Sequence, residues 1–510
     1  MRRLATLLGI AGAALSLCAE TASAQNVKYG ELETIFGEPV TTSATGKPQR
    51  VSEAPVTMII ITADQIAHAA ATDIPGILRE YTDLDVLEYA RGDVEVSARG
   101  YDKVMSSSIL VLINGRQVYL DNRGFTDWHS LPVQRSEIYQ IEVVKGPNSA
   151  LFGFNASGGV INIVTANPMY DTVNTMAVRD GSGHYKEASA IVTAPLGQSG
   201  GLRLSAGGLS ANNYSTSTLW EGPNSLTSVT YWNKPIEKRS VNLDGALPLN
   251  DNVTGRIEAS HAQNARVLFW DDDNAYYVHT VVDSVKGAVT VDTRSGQIDA
   301  SMYANIADMN DGIGDDQRTK LYVASLQGLF KIGPTHAFRV ATEYRYNTMN
   351  TFPVEGANIF YSNYSTSGMW DWTMTPQWSL TNAMRFDHLQ LGRSGTAPLD
   401  SQQTNAAFRQ SYDAVSANSG IVYRLTDVDK IHVSFGRGVE LPSLSTFALQ
   451  QQSPVPGLLS DGALAGNPGL KPTVVTSVEA GYNRDLPAIS SKVSSQIFYQ
   501  TTKDLVSLGD

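Results

Sequence analysis

Cysteine is almost absent from this sequence, since Cys18 is the only one among 510 residues. Cys18 directly follows an apolar run near the N-terminus, and removal of that run as a leader leaves a mature chain without any thiol. The absence excludes a disulfide scaffold, a thiolate metal site and thiol redox chemistry.

Long apolar runs are absent beyond residue 24. At the N-terminus, Arg2 and Arg3 precede an apolar run from Leu4 to Leu17, and Ala22-Ser23-Ala24 offers a signal peptidase the small residues that it accepts. The run is shorter than the ~20 residues that cross a bilayer as a helix, so we predict a signal peptide over residues 1–24 rather than an anchor. An exported chain without a later span is periplasmic, secreted or an outer-membrane barrel.

Positive charge is also scarce, because 38 Lys and Arg stand against 50 Asp and Glu, a formal net charge of −12. Residues 1–24 carry Arg2, Arg3 and Glu20, so their removal takes the charge to −13. Such acidity argues against nucleic-acid binding.

Recognisable catalytic patterns are missing as well. The eight histidines are scattered and form no pair at metal-ligand spacing, and no nucleophile elbow, Walker loop or dinucleotide fingerprint occurs. We therefore expect no enzyme, no cofactor and no metal site.

The texture of the sequence changes near residue 168. From Val51 to Asn167 short helical and short strand patterns alternate, which predicts a small α/β domain. Thr62 and Gln65 form a capping box for a helix through Ala70, and a second helix opens at Thr72-Asp73 and ends near Arg79-Glu80. Asn114-Gly115 accepts the positive φ angles of a type I′ turn and predicts a hairpin between Ile109–Ile113 and Arg116–Leu120.

From Met169 onward the sequence alternates apolar and polar residues over long segments, as in Phe338, Val340, Tyr344 and Tyr346. About fourteen such segments follow, joined alternately by short turns and long loops. A soluble β-sandwich would also alternate. Strands of ten or more residues, with a charged second face, instead favour a transmembrane antiparallel β-barrel.

Several motifs in this order resemble those of TonB-dependent outer-membrane receptors. The longest is similar to the end of the family's plug domain and runs from Ile141-Glu142-Val143-Val144-Lys145-Gly146-Pro147 to Gly158-Gly159-Val160-Ile161-Asn162-Ile163-Val164-Thr165. Further matches are Val96-Ser97-Ala98-Arg99-Gly100, Val111-Leu112-Ile113-Asn114-Gly115 and, late in the chain, Gly466-Asn467-Pro468-Gly469-Leu470-Lys471-Pro472.

The resemblance implies a mainly β fold, in which a 22-stranded transmembrane barrel is filled by a small α/β plug. We expect a signal peptide at 1–24, a periplasmic segment at 25–50, the plug at 51–167 and the barrel at 168–510. Fourteen segments and the lack of a terminal strand ending in Phe predict a barrel that is incomplete at its C-terminus. The expected plug motif residues are Arg99, Gly100, Asn114, Gly115, Glu142, Lys145, Gly146, Pro147, Gly158 and Gly159.

The segment near the mature N-terminus resembles a TonB box, which pairs as an extended strand with TonB through main-chain hydrogen bonds. An unstructured linker is the alternative interpretation. The segment consists of Glu38, Pro39, Val40, Thr41, Thr42, Ser43 and Ala44.

Two further sets of residues are candidates for plug or ligand contacts. Glu479 lies on the polar face of its strand and could pair with Arg99 or Lys145, although all of these could instead be exposed surface charges. Trp270 with Asp271, Asp272 and Asp273 could bind calcium or a cationic ligand, although acidic loops are more often only solvated. The aromatic residues Tyr214, Trp220, Trp232, Tyr276 and Tyr277 are expected in loops. They could stack on a ligand, although most of them are better interpreted as membrane girdles.

The family resemblance implies TonB-dependent uptake of a scarce ligand, with an iron-siderophore complex first and cobalamin, haem or an oligosaccharide as alternatives. A surface receptor or adhesin and a non-functional truncated product also remain open. A transducer is disfavoured because it would need a folded domain before the TonB box. The implied partners are TonB with its inner-membrane energising complex, outer-membrane lipid and the ligand, for a monomer in the outer membrane of a Gram-negative bacterium.

Overall fold

The chain is described by a computed structural model, and helices and strands are assigned over most of residues 56–506. No helix among the described residues is long and apolar enough to cross a membrane. The predicted signal peptide, part of the TonB box segment (Glu38, Thr42, Ser43 and Ala44) and the loop Trp270 to Asp273 lie outside the described residues. The described residues are 33, 39–41, 49–50, 54, 56–100, 108–214, 234–269, 275–310, 316–350, 358–395, 403–448, 450–451, 464–486, 489 and 491–506.

The N-terminal part is a small α/β domain. Its main sheet has the strand order β3-β8-β9-β6-β7, in which only the β6 and β9 pair is parallel. Two further pairs, β1 with β2 and β4 with β5, are antiparallel. The strands are β1 (Val40–Thr41), β2 (Gln49–Arg50), β3 (Met58–Thr62), β4 (Asp85–Ala90), β5 (Asp93–Ser97), β6 (Ile109–Ile113), β7 (Arg116–Gln117), β8 (Ile138–Lys145) and β9 (Gly159–Thr165).

Two helices begin where the capping residues predict them. Helix α1 (Ala63–His68) has the Thr62 and Gln65 capping box, and the Asp73 side chain accepts from Gly76 N at the start of α2 (Ile74–Tyr81). Helix α1 ends two residues before the predicted Ala70, because Ala69 takes an extended conformation. A third short helix, α3 (Ser149–Phe152), lies between β8 and β9.

The predicted turn is confirmed, with φ angles of 49° at Asn114 and 77° at Gly115, but the second strand ends at Gln117 and not at Leu120. Both helices and the sheet bury one apolar core, in which Ile61, Ile66, Ile141 and Ile161 are at most 1 % exposed. Burial of this size, with no disulfide among the plug residues, makes apolar packing the main source of the domain's stability.

The second part is one antiparallel sheet of 15 strands, one more than the sequence predicted. Consecutive strands pair throughout, and a minor sheet of β23 (Gln450–Gln451) and β24 (Leu464–Ala465) interrupts the chain order after β22. The large sheet contains β10 (Thr175–Gly181), β11 (Tyr185–Leu196), β12 (Gly200–Ala211), β13 (Ile236–Asn250), β14 (Val253–Phe269), β15 (Ala275–Thr293), β16 (Gly296–Asn310), β17 (Asp316–Ile332), β18 (His336–Asn350), β19 (Asn358–Thr373), β20 (Trp378–Ser394), β21 (Gln410–Arg424), β22 (Asp429–Glu440), β25 (Thr473–Leu486) and β26 (Ser491–Lys503).

The outward face of this sheet is an apolar band with aromatic residues near its edge. Met302, Val340 and Met384 are each more than half exposed there. Close to the short turns, the Trp370 and Trp372 rings stack at 5.5 Å between centroids. This arrangement is that of a membrane-facing surface with an interfacial girdle.

One sequence expectation about aromatic residues needs correction. Tyr276 and Tyr277 lie in strand β15 and not in an external loop. Tyr277 is held there because its hydroxyl donates to the Pro235 carbonyl at 2.7 Å. Trp220 and Trp232 lie outside the part of the chain that the structure describes.

Candidate functional site

The inner face of the large sheet surrounds the N-terminal domain, and charged groups join the two. Arg99 and Gly100 follow β5 with φ angles of 62° and 77°, a left-handed pair that favours glycine at position 100. The Arg99 guanidinium forms an ion pair with Glu479 of β25, and the side chains are 6 % and 5 % exposed. Thr57 also donates its hydroxyl to Glu479.

Lys145 does not take part in this pair. Its ammonium contacts Asp83 at 2.8 Å, so it ties the end of β8 to the loop after α2, inside the same domain. Of the two cations considered from the sequence, Arg99 therefore contacts Glu479. Both members are buried rather than exposed surface charges.

The hairpin at Asn114 and Gly115 contacts the opposite side of the inner face of the large sheet, which we call the wall. Asn114 Nδ2 donates to Glu258 of β14 at 2.5 Å, and Lys286 of β15 donates to the Asn114 carbonyl at 2.7 Å. Lys286 and Glu258 also pair at 3.0 Å. The sequence predicted a turn and a plug motif here but no contact with the sheet, because nothing in the hairpin's own residues indicates the charged pair opposite.

A second buried pair was also missed. Glu137 of the plug contacts Arg203 of β12 at 3.1 Å, with exposures of 0 % and 1 %. Arg203 is shared with Asp244 of β13 at 2.9 Å. Burial raises the pKa of Glu137 more than Arg203 lowers it.

A third contact lies nearer the external loops. Asp127 pairs with Arg266 of β14 at 3.2 Å. Beside them, burial together with Lys238 and Arg266 lowers the pKa of His129 to about 3, so its imidazole is neutral at pH 7. Burial likewise raises the pKa of Asp93 to about 6, although it accepts a hydrogen bond from Phe269 N at 2.9 Å.

The remaining plug motif residues shape the domain itself. Glu142 is fully buried and accepts from Gln140 Nε2 at 2.7 Å within the main sheet. Gly146 has φ 80°, and a Cβ added at Gly159 would lie 2.6 Å from the Val144 carbonyl oxygen. A Cβ at Gly158 would lie 3.0 Å from Ser108. These glycines are required by backbone geometry and close packing.

An external loop covers the top of the plug. Helix α4 (Leu444–Ala448) follows β22, and its backbone donates to the plug from Leu444 N to Asp121 O at 3.1 Å and from Ser445 N to Asn122 O at 2.8 Å. Asp121 also accepts from the hydroxyl of Tyr361 at 2.5 Å. We call residues 119–125, on which α4 rests, the plug apex.

The described part of the TonB box segment lies against the plug. Val40 and Thr41 are 0 % exposed and pair with Arg50 and Gln49. Gln140 Nε2 donates to the Val40 carbonyl at 3.0 Å. Val40 and Thr41 therefore form a short strand that is already paired within the chain.

Within the described residues, no three His, Cys, Asp or Glu side chains lie close enough together to hold a metal ion. The arrangement instead offers a plug fixed in a sheet by buried polar contacts, with a loop above it and a short strand below it.

Family models match both parts of the chain. Residues 190–510 match the model described as TonB dependent receptor-like, beta-barrel, and residues 50–160 match the TonB-dependent Receptor Plug Domain.

Curated relatives include vitamin B12 transporters. That of Photobacterium profundum is 31 % identical over 142 residues, which are 28 % of this chain and 23 % of the relative. That of Vibrio vulnificus is 22 % identical over 505 residues, which are 96 % of this chain and 73 % of the relative. The chain thus matches about a quarter of the length of the first of these relatives.

Solved structures share the fold. The alcaligin receptor of Bordetella pertussis superposes with a TM-score of 0.65 at 14 % identity, over 91 % of this chain and 73 % of that one. The siderophore receptor PirA of Acinetobacter baumannii gives a TM-score of 0.69 at 15 % identity, over 88 % and 71 % of the two chains.

Proposed function

The chain belongs to the TonB-dependent receptors of the Gram-negative outer membrane, and we propose that it imports a scarce ligand with energy relayed by TonB. Members of this family are receptors and transporters rather than enzymes. During transport the plug moves and the large sheet stays fixed.

The observation that carries the proposal is the set of buried ion pairs between plug and wall. Arg99 with Glu479, Glu137 with Arg203 and Asp127 with Arg266 are all at most 6 % exposed. Breaking one buried pair costs about 3–5 kcal/mol, so three would cost on the order of 10 kcal/mol. That approaches the ~12 kcal/mol released by a ligand with nanomolar affinity. Displacement of the whole plug would therefore use most of the ligand's binding free energy. An external pull is the better source of the work, and it can open one side of the plug while the pairs on the other side hold.

The segment Glu38 to Ala44 is the proposed binding site for TonB. Main-chain pairing with an added strand suits a short, β-branched sequence. Val40 and Thr41 would first leave their two-residue pairing with Arg50 and Gln49, which is short and therefore weak.

A ferric siderophore is the first proposed ligand, because the neighbours in fold are named as siderophore receptors. Cobalamin is the second, because the curated relatives are named as vitamin B12 transporters. Trp270 and Asp271 to Asp273 remain proposed ligand contacts on the external side, since they follow directly on β14, which ends at Phe269.

The test measures uptake of radioactive ferric enterobactin, ferric alcaligin and cyanocobalamin by cells that lack their own outer-membrane receptors and express this chain. We expect uptake of one probe in cells with TonB and none in cells without it. Deletion of Glu38 to Ala44 should abolish uptake and leave surface binding intact. Binding without uptake in the presence of TonB would favour a surface receptor or adhesin, and neither binding nor uptake would favour a non-functional product.

A further inference from the structure

The plug meets the wall through two kinds of contact. Along β12 to β15 the contacts involve buried charges, among them Glu137 with Arg203 at 3.1 Å and Asp127 with Arg266 at 3.2 Å. Separation of such a pair leaves a buried carboxylate of the plug, Glu137 or Asp127, without its cation in a dry environment. This side of the interface resists separation.

Between β20 and β22 the plug contributes no charge, because residues 146–157 contain none. We call the interface between these residues and the inner face of β20 to β22 the glycine seam. Gly436 and Gly438 of β22 permit close approach there, since a Cβ added at Gly438 would lie 3.0 Å from both Ser149 Oγ and Ser157 Cα. Its ends are marked by Arg99 with Glu479 on β25 and by Asp121 with Arg345 on β18.

Strands β21 and β22 part inside the seam. Their pairing runs from Arg424 and Lys430 only as far as Ala417 and Arg437. Above that level the plug supplies hydrogen bonds that a neighbouring strand would otherwise make. Asn155 N donates to Val439 O at 3.0 Å, Val439 N to Ser149 Oγ at 3.1 Å and Leu441 N to Asn155 Oδ1 at 2.9 Å.

The seam is also imperfectly filled. Asn148 Oδ1 and Asn418 Oδ1 are buried and have no hydrogen-bond partner among the described residues. A cavity of about 30 Å³ lies beside them, which is room for a water molecule or two. Opening the seam exposes neutral groups that lack a partner, whereas opening the other side also separates paired charges. Arg266 Nε and His129 Nε2 on that other side likewise lack a partner among the described residues, so the charged pairs make the difference.

We propose that the ligand crosses the barrel along the glycine seam, which opens when the pull on the plug breaks the bonds of Ser149 and Asn155 to β22. This inference rests on the transport function proposed above. The contacts on β12 to β15 hold the rest of the plug in place meanwhile. Ser149 and Asn155 are positioning residues. Their release leaves a path bordered by the neutral Asn418 and by two charged residues of the sheet, Arg385 beside Gly153 and Glu440 beside Ser157. A ligand rich in hydroxyl, amide or carboxylate oxygens fits that lining.

The chain is well suited to a test by reversible crosslinks, because Cys18 of the predicted signal peptide is its only cysteine. The seam lock combines Ser149→Cys with Gly438→Cys, whose added Cβ stands at contact distance from residue 149. The control lock combines Ser130→Cys with Asn264→Cys on the other side, where Asn264 Nδ2 donates to Ser130 Oγ at 2.6 Å. The seam pair lies at the distance that a disulfide spans, and crosslinking of the control pair is verified on gels before uptake is measured.

Uptake of radioactive ferric enterobactin and ferric alcaligin is measured in oxidised and reduced cells carrying TonB. We expect the oxidised seam lock to lower uptake about tenfold or more, because a disulfide fixes the seam at bonding distance. Reduction should restore uptake, which shows that the variant is folded. The oxidised control lock should transport within about twofold of its reduced form, because the proposal leaves its side of the interface closed.

Every other result of these uptake measurements contradicts one part of the proposal. Normal uptake with the seam lock formed, or equal loss with both locks, would overturn the seam as the path. Failure of Ser149→Cys and Gly438→Cys to crosslink on oxidation would overturn the geometry on which the seam stands. No uptake of either probe by the reduced variants and by the parent chain would overturn the siderophore function itself, and the seam with it.

Discussion

At the scale of single residues, Asp93 shows how the protonation of one plug carboxyl group makes local stability depend on pH. It is 4 % exposed and accepts from Phe269 N at 2.9 Å, at the external end of β14. Burial raises its pKa from 3.8 to about 6, and the nearby Asp127 and Glu88 raise it too, against the opposing charge of Arg266. The folded state thus holds this proton more tightly than the unfolded chain does.

The sign of the pH effect follows from that difference. A carboxyl with a raised folded pKa contributes stability that is complete below its unfolded pKa and is lost as pH rises through the folded pKa. Docking of the β4–β5 hairpin should weaken as pH rises from about 4 to about 6. A shift of this size corresponds to on the order of 3 kcal/mol.

The matched change is Asp93→Asn, which keeps an oxygen to accept from Phe269 N and removes the titration. We expect the protection factors of β4 and β5, which are exchange rates corrected for the intrinsic pH dependence of amide exchange, to be higher at pH 7 in the variant and constant between about pH 4 and 6. Protection factors of the parent and the variant, measured across that range, provide the check. Parallel pH profiles for the two chains would contradict the role of Asp93.

At the scale of elements, local signals were predicted well and contacts across the sequence were not. The Thr62 capping box and the Asn114-Gly115 turn depend on neighbours within three residues, so a short stretch of sequence is enough to predict both. Arg203 and Glu137 are 66 residues apart. The alternation of apolar and polar residues predicted that charged side chains lie on the inner face of the strands. It does not predict which charged residue of the plug each of them contacts.

The end of helix α1 differs from the predicted end for a related reason. Helix α1 stops at His68 because Arg135, far away in sequence, donates to the Ile66 and Ala69 carbonyls at the end of that helix. A C-terminal cap supplied by a distant side chain leaves no local trace. The same holds for α4, whose place on the plug apex depends on backbone groups that every residue carries.

The covering loop allows a test with a matched pair of variants. Ser445 N donates to Asn122 O at 2.8 Å, and Ser445→Pro removes that donor at a position in the first helical turn where proline is tolerated. We expect residues 441–448 to become more accessible to protease, because about 1 kcal/mol of hydrogen bonding is lost at a buried contact. Ser445→Ala keeps the N–H and should behave as the parent. Equal protection of both variants would show that the side-chain cluster around Phe447 holds the loop alone.

At the scale of the whole molecule, the large sheet has two edges. Among the described residues, β10 pairs only with β11 and β26 pairs only with β25. Edge strands that face lipid leave N–H and C=O groups without partners, at several kcal/mol each in hydrocarbon. A sheet in this state is therefore expected to acquire further pairing, either between its own edges or with additional strands.

Direct pairing of β10 with β26 would close fifteen strands around a plug that the family surrounds with 22. Such a closure would narrow the barrel roughly in proportion to the number of strands, and the plug's contacts with both walls would not fit inside it. We therefore expect additional strands to be needed, whether from a longer form of the chain or from another polypeptide.

Heat-modifiability on SDS gels measures this directly, because a closed barrel migrates faster before boiling than after it. Outer membranes with this 510-residue chain are compared with membranes in which it is extended by the coding sequence that follows. We expect a mobility shift only for the extended chain, since only complete pairing gives a barrel that resists the detergent. A shift by the shorter chain would mean that its edges pair after all, and that the plug is displaced or repacked to make room.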